Sequence, residues 1–287
     1  MSKEKLRIAI QKAGRLNEDS LKILKDAGIS IDNGKEQLKA TSSNFPLEVL
    51  YLRNGDIPQY LRDGVVDIAF LGENVLEEKG DDIVHSLKLG FSKCRVSIAV
   101  PKSAKYNGIE DLDGKRIATS YPNTLNSFLK KKGITADLHI INGSVEIAPN
   151  IGLADAICDI VSSGNTLFKN NLKEVEVMMK SEAILAVAPN ISEDRREILN
   201  KLEFRLKSVL NARTSKYILL NAPDDKLEEI IDLLPGMRSP TVLPLAEKGW
   251  SSIHTVIQEN RFWEIIHELK ELGAEGILVA PIEKMVL

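Results

Sequence analysis

The chain has 287 residues, 28% of them charged, and a formal net charge of −3. That length allows two or three domains of ordinary size, and the near-balanced charge offers no broad positive field to nucleic acid or an anionic membrane. No apolar run approaches the ~18–20 residues a membrane span needs, and the start Met1-Ser-Lys-Glu-Lys-Leu-Arg7 lacks the apolar core of a secretory signal, so a cytoplasmic location without a membrane partner is expected.

Short β-branched or Leu-rich runs alternate with amphipathic stretches along most of the chain, the pattern of an α/β protein with parallel strands and crossover helices. The first strand, 6–11, leads into Gln11-Lys12-Ala13-Gly14-Arg15-Leu16, where two cations and a glycine precede Asn17, an expected N-cap with Glu18 and Asp19 behind it. Such a loop suits an anion; a solvated basic loop is the alternative. Strands at 47–52 and 66–71 follow, the second running into Gly72-Glu73-Asn74. Arg95 flanks the strand 96–100, where it either closes an ion pair between lobes or faces a cleft. After a strand at 115–119, Ser120, Tyr121, Pro122, Asn123 and Thr124 enter a helix, and their hydroxyls and amides suit a diphosphate or simply start that helix. A strand at 138–142 ends in Gly143-Ser144-Val145-Glu146, again a glycine, a small polar group and a carboxylate.

Residues 155–162 form the most telling strand. Asp155 and Asp159 lie on it at i and i+4, and it runs straight into Ser162-Ser163-Gly164-Asn165-Thr166. Small residues leave the backbone amides of that turn open to a phosphate dianion, and the two carboxylates can accept the hydroxyls of a vicinal diol or reach a hydrated Mg²⁺. Phosphate at one end and diol at the other describes a 5-phosphoribosyl group; the plain alternative is a βα turn whose Ser, Asn and Thr cap the next helix.

Two segments echo each other, Gly64-Val-Val-Asp67-Ile-Ala-Phe-Leu-Gly72 and Gly152-Leu-Ala-Asp155-Ala-Ile-Cys-Asp-Ile-Val-Ser-Ser-Gly164. Each reads as glycine, Asp at a strand start, apolar strand and glycine turn. The echo predicts two similar α/β lobes around a cleft, as in type II periplasmic-binding-protein folds: lobe I from 1–92 and 180–211, lobe II from 93–179 carrying the phosphate turn. A strand at 183–188 belongs to the return into lobe I. From 212 to 287 the pattern becomes strand 216–221, helix 224–234, strands 240–244 and 251–258, helix 260–272 and strand 276–280, a ferredoxin-like βαββαβ order.

Neither Gly34-Lys35 nor Gly114-Lys115 is followed by Ser or Thr, so no Walker A loop is present, and no Gly-x-Gly-x-x-Gly occurs. Cys94 and Cys158 read as free thiols, and neither they nor the four histidines show metal-ligand spacing.

Taken in order, Lys12-Ala-Gly-Arg15-Leu, Asp56-Ile-Pro, Asp63-Gly-Val-Val-Asp67, Gly72-Glu-Asn-Val-Leu-Glu-Glu78, Cys94-Arg95, Arg116-Ile-Ala-Thr-Ser-Tyr-Pro122, Asn142-Gly-Ser-Val-Glu146, Gly152-Leu-Ala-Asp-Ala-Ile-Cys-Asp159, Leu234-Pro-Gly236 and Ser239-Pro-Thr-Val-Leu-Pro-Leu245 resemble the long form of ATP phosphoribosyltransferase. The resemblance spans nearly the whole chain. It implies transfer of the phosphoribosyl group of phosphoribosyl diphosphate to N1 of ATP, the first step of histidine biosynthesis, with Mg²⁺ as cofactor and no nucleic-acid partner. It further implies a homo-hexamer inhibited by L-histidine at the C-terminal domain, without a separate regulatory subunit.

On the same footing, Lys12, Arg15 and Arg95 would be catalytic. Gly14, Glu73, Asn74, Ser120, Tyr121, Gly143, Ser144, Glu146, Asp155, Asp159, Ser162, Ser163, Gly164, Asn165 and Thr166 would bind substrate, Mg²⁺ being held mainly by the substrate diphosphate. Asn221, Ser239, Thr241 and Ala274 would bind histidine. The turn Ser-Ser-Gly-Asn-Thr departs from relatives that carry Thr or Glu second and Arg or Ala fourth. A solute-binding sensor and a salvage transferase for free bases are the rival readings; the first lacks a reason for the phosphoribosyl turn, the second for the βαββαβ appendage.

Overall fold

A computed structural model describes residues 4–32, 38–80, 82–234 and 236–287; Gly34-Lys35 and Pro235 of the Leu234-Pro-Gly236 turn lie outside the described residues. The chain divides into two compact units, Met1–Lys22 with Ile29–Leu199 and Ile23–Gly28 with Asn200–Leu287.

The first unit holds two sheets built to one plan. In lobe I, β1 (Leu6–Gln11), β3 (Leu47–Leu52) and β4 (Ile68–Gly72) are parallel, with β3 and β4 flanking β1. β2 (Lys39–Thr41) closes one edge, and β11 (Ala183–Val187) and β5 (Val84–Lys88) extend the other antiparallel, giving the order β2-β3-β1-β4-β11-β5. In lobe II, β8 (Asp137–Ile140), β7 (Arg116–Thr119) and β9 (Ala156–Val161) are the parallel trio, followed antiparallel by β6 (Cys94–Pro101) and β10 (Leu172–Ser181). The chain therefore passes between sheets twice, at 89–93 and at Glu182. The edge strands β2, β5 and β10 carry no apolar run that marks them in sequence; Leu172–Ser181 alternates charge with apolar residues and is only half-buried over most of its length.

Helices follow local rules. α2 (Ile57–Arg62) has Pro58 in its first turn, where the missing N–H is no loss. α3 (Glu73–Lys79) leaves β4 at Gly72, and a Cβ there would stand 2.3 Å from Asn74 Oδ1, so any side chain would displace the Asn74 amide. α4 (Pro122–Lys132) ends at Gly133 in the left-handed region with three lysines in its last turn, a favourable arrangement with the helix dipole. α1 (Arg15–Asp26) starts two residues before the expected N-cap: Asn17 sits inside the helix and its Nδ2 donates to Gln11 O at 2.7 Å, closing the basic loop from within. Ile8, Ile10, Ile68 and Phe70 in lobe I and Val96, Ile98, Ile117 and Leu125 in lobe II are fully buried; each such side chain contributes about 1.5–3 kcal/mol.

The echo has a structural cause. In lobe I, Asp67 accepts from the Arg7 backbone N–H at 2.7 Å and from the Arg7 guanidinium, whose Nη2 also donates to Gly64 O. In lobe II, Asp155 accepts from the Arg116 N–H at 3.0 Å and from its guanidinium at 2.8 Å, while Nη1 donates to Gly152 O. Each Gly-x-x-Asp thus braces an arginine at the start of the neighbouring parallel strand.

The second unit carries α5's successor along the chain, α6 (Glu193–Arg213), from Asn200 onward, then β12 (Ser215–Pro223), α7 (Leu227–Leu233), β13 (Thr241–Pro244), β14 (Trp250–Gln258), α8 (Glu259–Glu271) and β15 (Glu275–Pro281); α5 itself is Asn165–Lys169. The antiparallel order β13-β14-β12-β15 is the expected ferredoxin-like sheet. Ile218, Leu220, Ile253, Ile265 and Leu269 form its core under α7 and α8. Among the described residues no helix is long and apolar enough to cross a membrane.

Candidate functional site

β9 delivers the turn 162–166, the expected phosphate site. Ser162, Ser163, Asn165 and Thr166 are exposed, and Gly164, at φ 81°, takes the left-handed conformation that side chains resist. Asn165 N–H donates weakly to Ser163 Oγ at 3.4 Å, and Phe168 N–H to Gly164 O at 3.0 Å. Among the described residues no hydrogen bond takes the amides of Gly164, Thr166 or Leu167 or the Thr166 hydroxyl. The turn lines a cavity of about 160 Å³ together with Asp159 and Glu146.

Those two carboxylates approach from different elements. Gly143 at φ 84° and Ser144 at φ 50° are consecutive left-handed residues that swing Glu146 toward β9; left-handed Ser144 stores backbone strain of the kind found at binding sites. Burial raises the Asp159 carboxyl above its ordinary range, the Ile160 amide partly offsets this, and the negative charge of Glu146 adds to the rise. An acidic pair at that position is complementary to hydroxyl donors or a cation.

Asp155 is not part of this site. About 13 Å of strand separates it from Asp159, its carboxylate belongs to Arg116 at the opposite strand end, and that ion pair holds the Asp155 carboxyl below its usual range. The expectation of one carboxylate pair along the strand is corrected to Asp159 with Glu146.

Of the two expectations for Arg95, the structure supports the one that faces it to a cleft rather than an ion pair between lobes: it lines a cavity of about 440 Å³ with Glu73 and Lys88 of lobe I, while Nε and Nη2 reach Glu174 of its own sheet at 2.5 and 2.6 Å and Nη1 donates to Ser162 O at 3.0 Å. The bidentate pair lowers the Glu174 carboxyl, and the bond to Ser162 O ties Arg95 to the turn 162–166. Glu73 pairs with Lys88 at 3.3 Å and shares with Arg95, Lys93, Lys180, Cys94 and Ser162 that cavity of about 440 Å³. Cys94 and Cys158 are both free.

Asn74, Ser120 and Tyr121 are taken up by the protein itself. Asn74 is 3% exposed; its Nδ2 donates to Tyr121 Oη at 2.8 Å, and Ser181 Oγ donates to its Oδ1 at 2.8 Å. Ser120 Oγ donates to Ile141 O at 2.7 Å. The Asn74–Tyr121 bond joins the carboxyl ends of β4 and β7, so the loops after their neighbours β1 and β9 flank one junction. Ligands bind at such strand ends in parallel α/β sheets.

On the lobe I side of that junction, Lys12 and Arg15 are exposed, and Gly14 takes φ 88°. Lys12 N–H donates to Leu52 O at 2.8 Å, which continues the β1–β3 register past Gln11 and sets Arg53 beside the basic loop. Among the described residues the side chains of Lys12, Arg15 and Arg53 have no hydrogen-bond or ion-pair partner. Arg53 escaped the sequence reading; its signal was its place directly after the alternating strand Leu47–Leu52.

In the second unit, Asn221 pairs with Glu275, next to buried Ala274, while Thr241 pairs with His254 and exposed Ser239 precedes it. β14 lies between β12 and β13, so one copy of the domain holds the two pairs of residues about 10 Å or more apart.

Comparison with known proteins agrees with the geometry. The family model HisG, described as ATP phosphoribosyltransferase, matches residues 53–208, and the model of the HisG C-terminal domain matches 212–284. The ATP phosphoribosyltransferase of Cytophaga hutchinsonii is 58% identical over 281 residues, covering 98% of this chain and 98% of that protein. That of Phocaeicola vulgatus is 57% identical, covering 98% of this chain and 100% of that protein. A solved structure of the ATP phosphoribosyl transferase (HisG:HisZ) complex from Thermotoga maritima superposes with a TM-score of 0.61 at 31% identity, covering 70% of this chain and 96% of that one. Tv2483 bound to L-arginine shares the fold, with a TM-score of 0.51 at 14% identity over 71% of this chain and 84% of that one. With matches that run through both units and nearly end to end, this chain belongs to the ATP phosphoribosyltransferase family.

Proposed function

We infer that the chain transfers the 5-phosphoribosyl group of phosphoribosyl diphosphate to N1 of ATP, releasing diphosphate, as the first step of L-histidine biosynthesis. The observation that carries this reading is the open-amide turn 162–166 beside the Asp159–Glu146 pair, facing a lobe whose strand ends bear Lys12, Arg15 and Arg53. The amides of Gly164, Thr166 and Leu167 hold the 5-phosphate, and the carboxylates accept the ribose hydroxyls. Adenine N1 carries a lone pair and no proton at neutral pH, so attack at ribose C1 needs no general base. Diphosphate departure needs charge neutralisation, which Lys12 and Arg15 provide with Arg53 beside them. Two facing carboxylates are a donor set that fits Mg²⁺ arriving with the diphosphate. When bound, that ion would supply further neutralisation of the leaving group.

Purified protein given ATP, phosphoribosyl diphosphate and Mg²⁺ should develop a new near-ultraviolet absorbance when diphosphate is removed, and free bases should not replace ATP. Thr166→Val should weaken phosphoribosyl diphosphate binding by about 10- to 150-fold, because a hydrogen bond to a charged group contributes ~1.5–3 kcal/mol. The melting temperature should stay unchanged. Turnover of a free base in place of ATP, or equal losses for both substrates in the variant, sinks the assignment.

We further propose that the C-terminal domain senses L-histidine in a cytoplasmic homo-hexamer. The separation of Asn221 and Ala274 from Ser239 and Thr241 within one copy supports a histidine site completed by a neighbouring copy. The presence of the matched 212–284 domain supports regulation without a separate subunit. Thr241→Ala should therefore reduce histidine inhibition, with a coupling loss of ~1–3 kcal/mol, while uninhibited turnover persists. Histidine that competes with phosphoribosyl diphosphate for one site would overturn this.

A further inference from the structure

The N-terminus of α4 has no cap of its own. Tyr121 occupies the cap position without a side-chain hydrogen bond, and Pro122 has no N–H to offer. The cap comes instead from α3 in the other lobe. Glu78, 5% exposed, accepts from Asn123 N–H at Oε1 (2.9 Å) and from Thr124 N–H and Thr124 Oγ1 at Oε2 (2.8 Å each). Asn123 Nδ2 returns a bond to the Glu78 carbonyl at 3.0 Å. One turn earlier on the same helix, Asn74 makes its bonds to Tyr121 and Ser181.

We propose that Glu78 is a positioning residue that holds the two lobes at a fixed separation, its carboxylate serving as a cap for α4 supplied across the cleft. A buried carboxylate cannot lose its donors cheaply, and α4 cannot lose its acceptor without exposing amides at the positive end of its dipole. Opening the lobes strands both at once. The contact also engages the Asn123 and Thr124 amides, which favours the helix-start alternative for this turn over diphosphate binding. The loops that carry Lys12 and Thr166 flank the junction, so a change in lobe separation moves one against the other.

The test is hydrogen exchange and kinetics on the full chain. Glu78→Gln keeps the shape but turns an NH₂ toward backbone donors, and the loss of a charged acceptor is expected to speed exchange at Asn123 and Thr124 by about 10- to 150-fold. Amides of 215–281 should not change. KM for phosphoribosyl diphosphate should rise severalfold with kcat at saturation nearly retained, because bound substrate re-closes the lobes. Thr124→Ala, which removes one bond of the set, should give a smaller shift in the same direction and serves if the glutamine variant folds poorly. Unchanged exchange at 123–124, or a kcat loss with unchanged KM, overturns the proposal. The kinetic arm alone rests on the phosphoribosyl reading; a wild-type protein inactive on ATP but normal in the exchange response would refute that reading and leave the clamp standing.

Discussion

Asp159→Asn is expected to weaken phosphoribosyl diphosphate binding by about 10- to 150-fold, more than it weakens ATP, and at the same time to raise the melting temperature of the ligand-free protein. The two effects share one cause. Burial and the charge of Glu146 raise the Asp159 carboxyl above its ordinary range, so the ionised form is disfavoured in the folded state and penalises stability at neutral pH. That penalty is relieved as pH falls through the raised folded-state value, and the asparagine removes it outright. Binding runs the other way, since the ribose hydroxyls need an acceptor and a diphosphate-bound cation needs a negative charge; hydrogen bonds to a charged group contribute ~1.5–3 kcal/mol. Wild-type affinity for phosphoribosyl diphosphate should accordingly decline with acidification at a pH above the usual aspartate range, and the variant should lack that limb. Calorimetric titration across pH and thermal unfolding without ligand measure both. A variant that binds normally, or one that melts earlier, would remove Asp159 from the site.

Much of the fold was legible because its signals are local and repeated. Alternation in Leu47–Leu52, the apolar run Val96–Val100, Pro122 at a helix start and the spacing of elements after 212 all survive in the structure with shifts of one to three residues. The open conformation of the turn 162–166 was legible because small residues directly after an apolar strand have a backbone consequence that reads from sequence alone. Contacts made between distant segments were not. Glu78 is one of two adjacent glutamates on a short helix, and only the pairing of lobes turns it inward to α4. Glu146 and Asp159 meet through two left-handed residues, Gly143 and Ser144, the second of which no sequence rule places there. Arg95 was singled out in the sequence, yet its partner Glu174 sits on β10, an edge strand whose alternating charges hid it. Asp155 misled in a more instructive way. Two carboxylates on one strand suggest a joint ligand, but the echo between Gly64-Val-Val-Asp67 and Gly152-Leu-Ala-Asp155 already held the better reading: a feature found in both lobes, when the turn 162–166 is found in one, belongs to the fold.

That symmetry gives a prediction in which equivalent substitutions differ in burial and in one added arginine partner. Asp67 is 4% exposed, and its carboxylate serves Arg7 and, through Nη1 at 2.7 Å, Arg195 of α6. Asp67→Ala would leave two guanidinium groups without their buried partner, which costs about 3–5 kcal/mol. Asp155 makes the same bonds to Arg116, but the paired side chains are 40% and 43% exposed, so water screens the pair and can replace it. Asp155→Ala should therefore cost about 1 kcal/mol. Urea unfolding of the first unit, followed by a probe confined to it, should show a much larger loss of midpoint for Asp67→Ala. Phosphoribosyl diphosphate affinity, measured well below either midpoint, should be unchanged in both variants, because neither carboxylate faces the turn 162–166. Equal stability losses would contradict the burial argument. A folded Asp155→Ala protein that no longer binds phosphoribosyl diphosphate would instead return Asp155 to the ribose and break the equivalence of the two lobes.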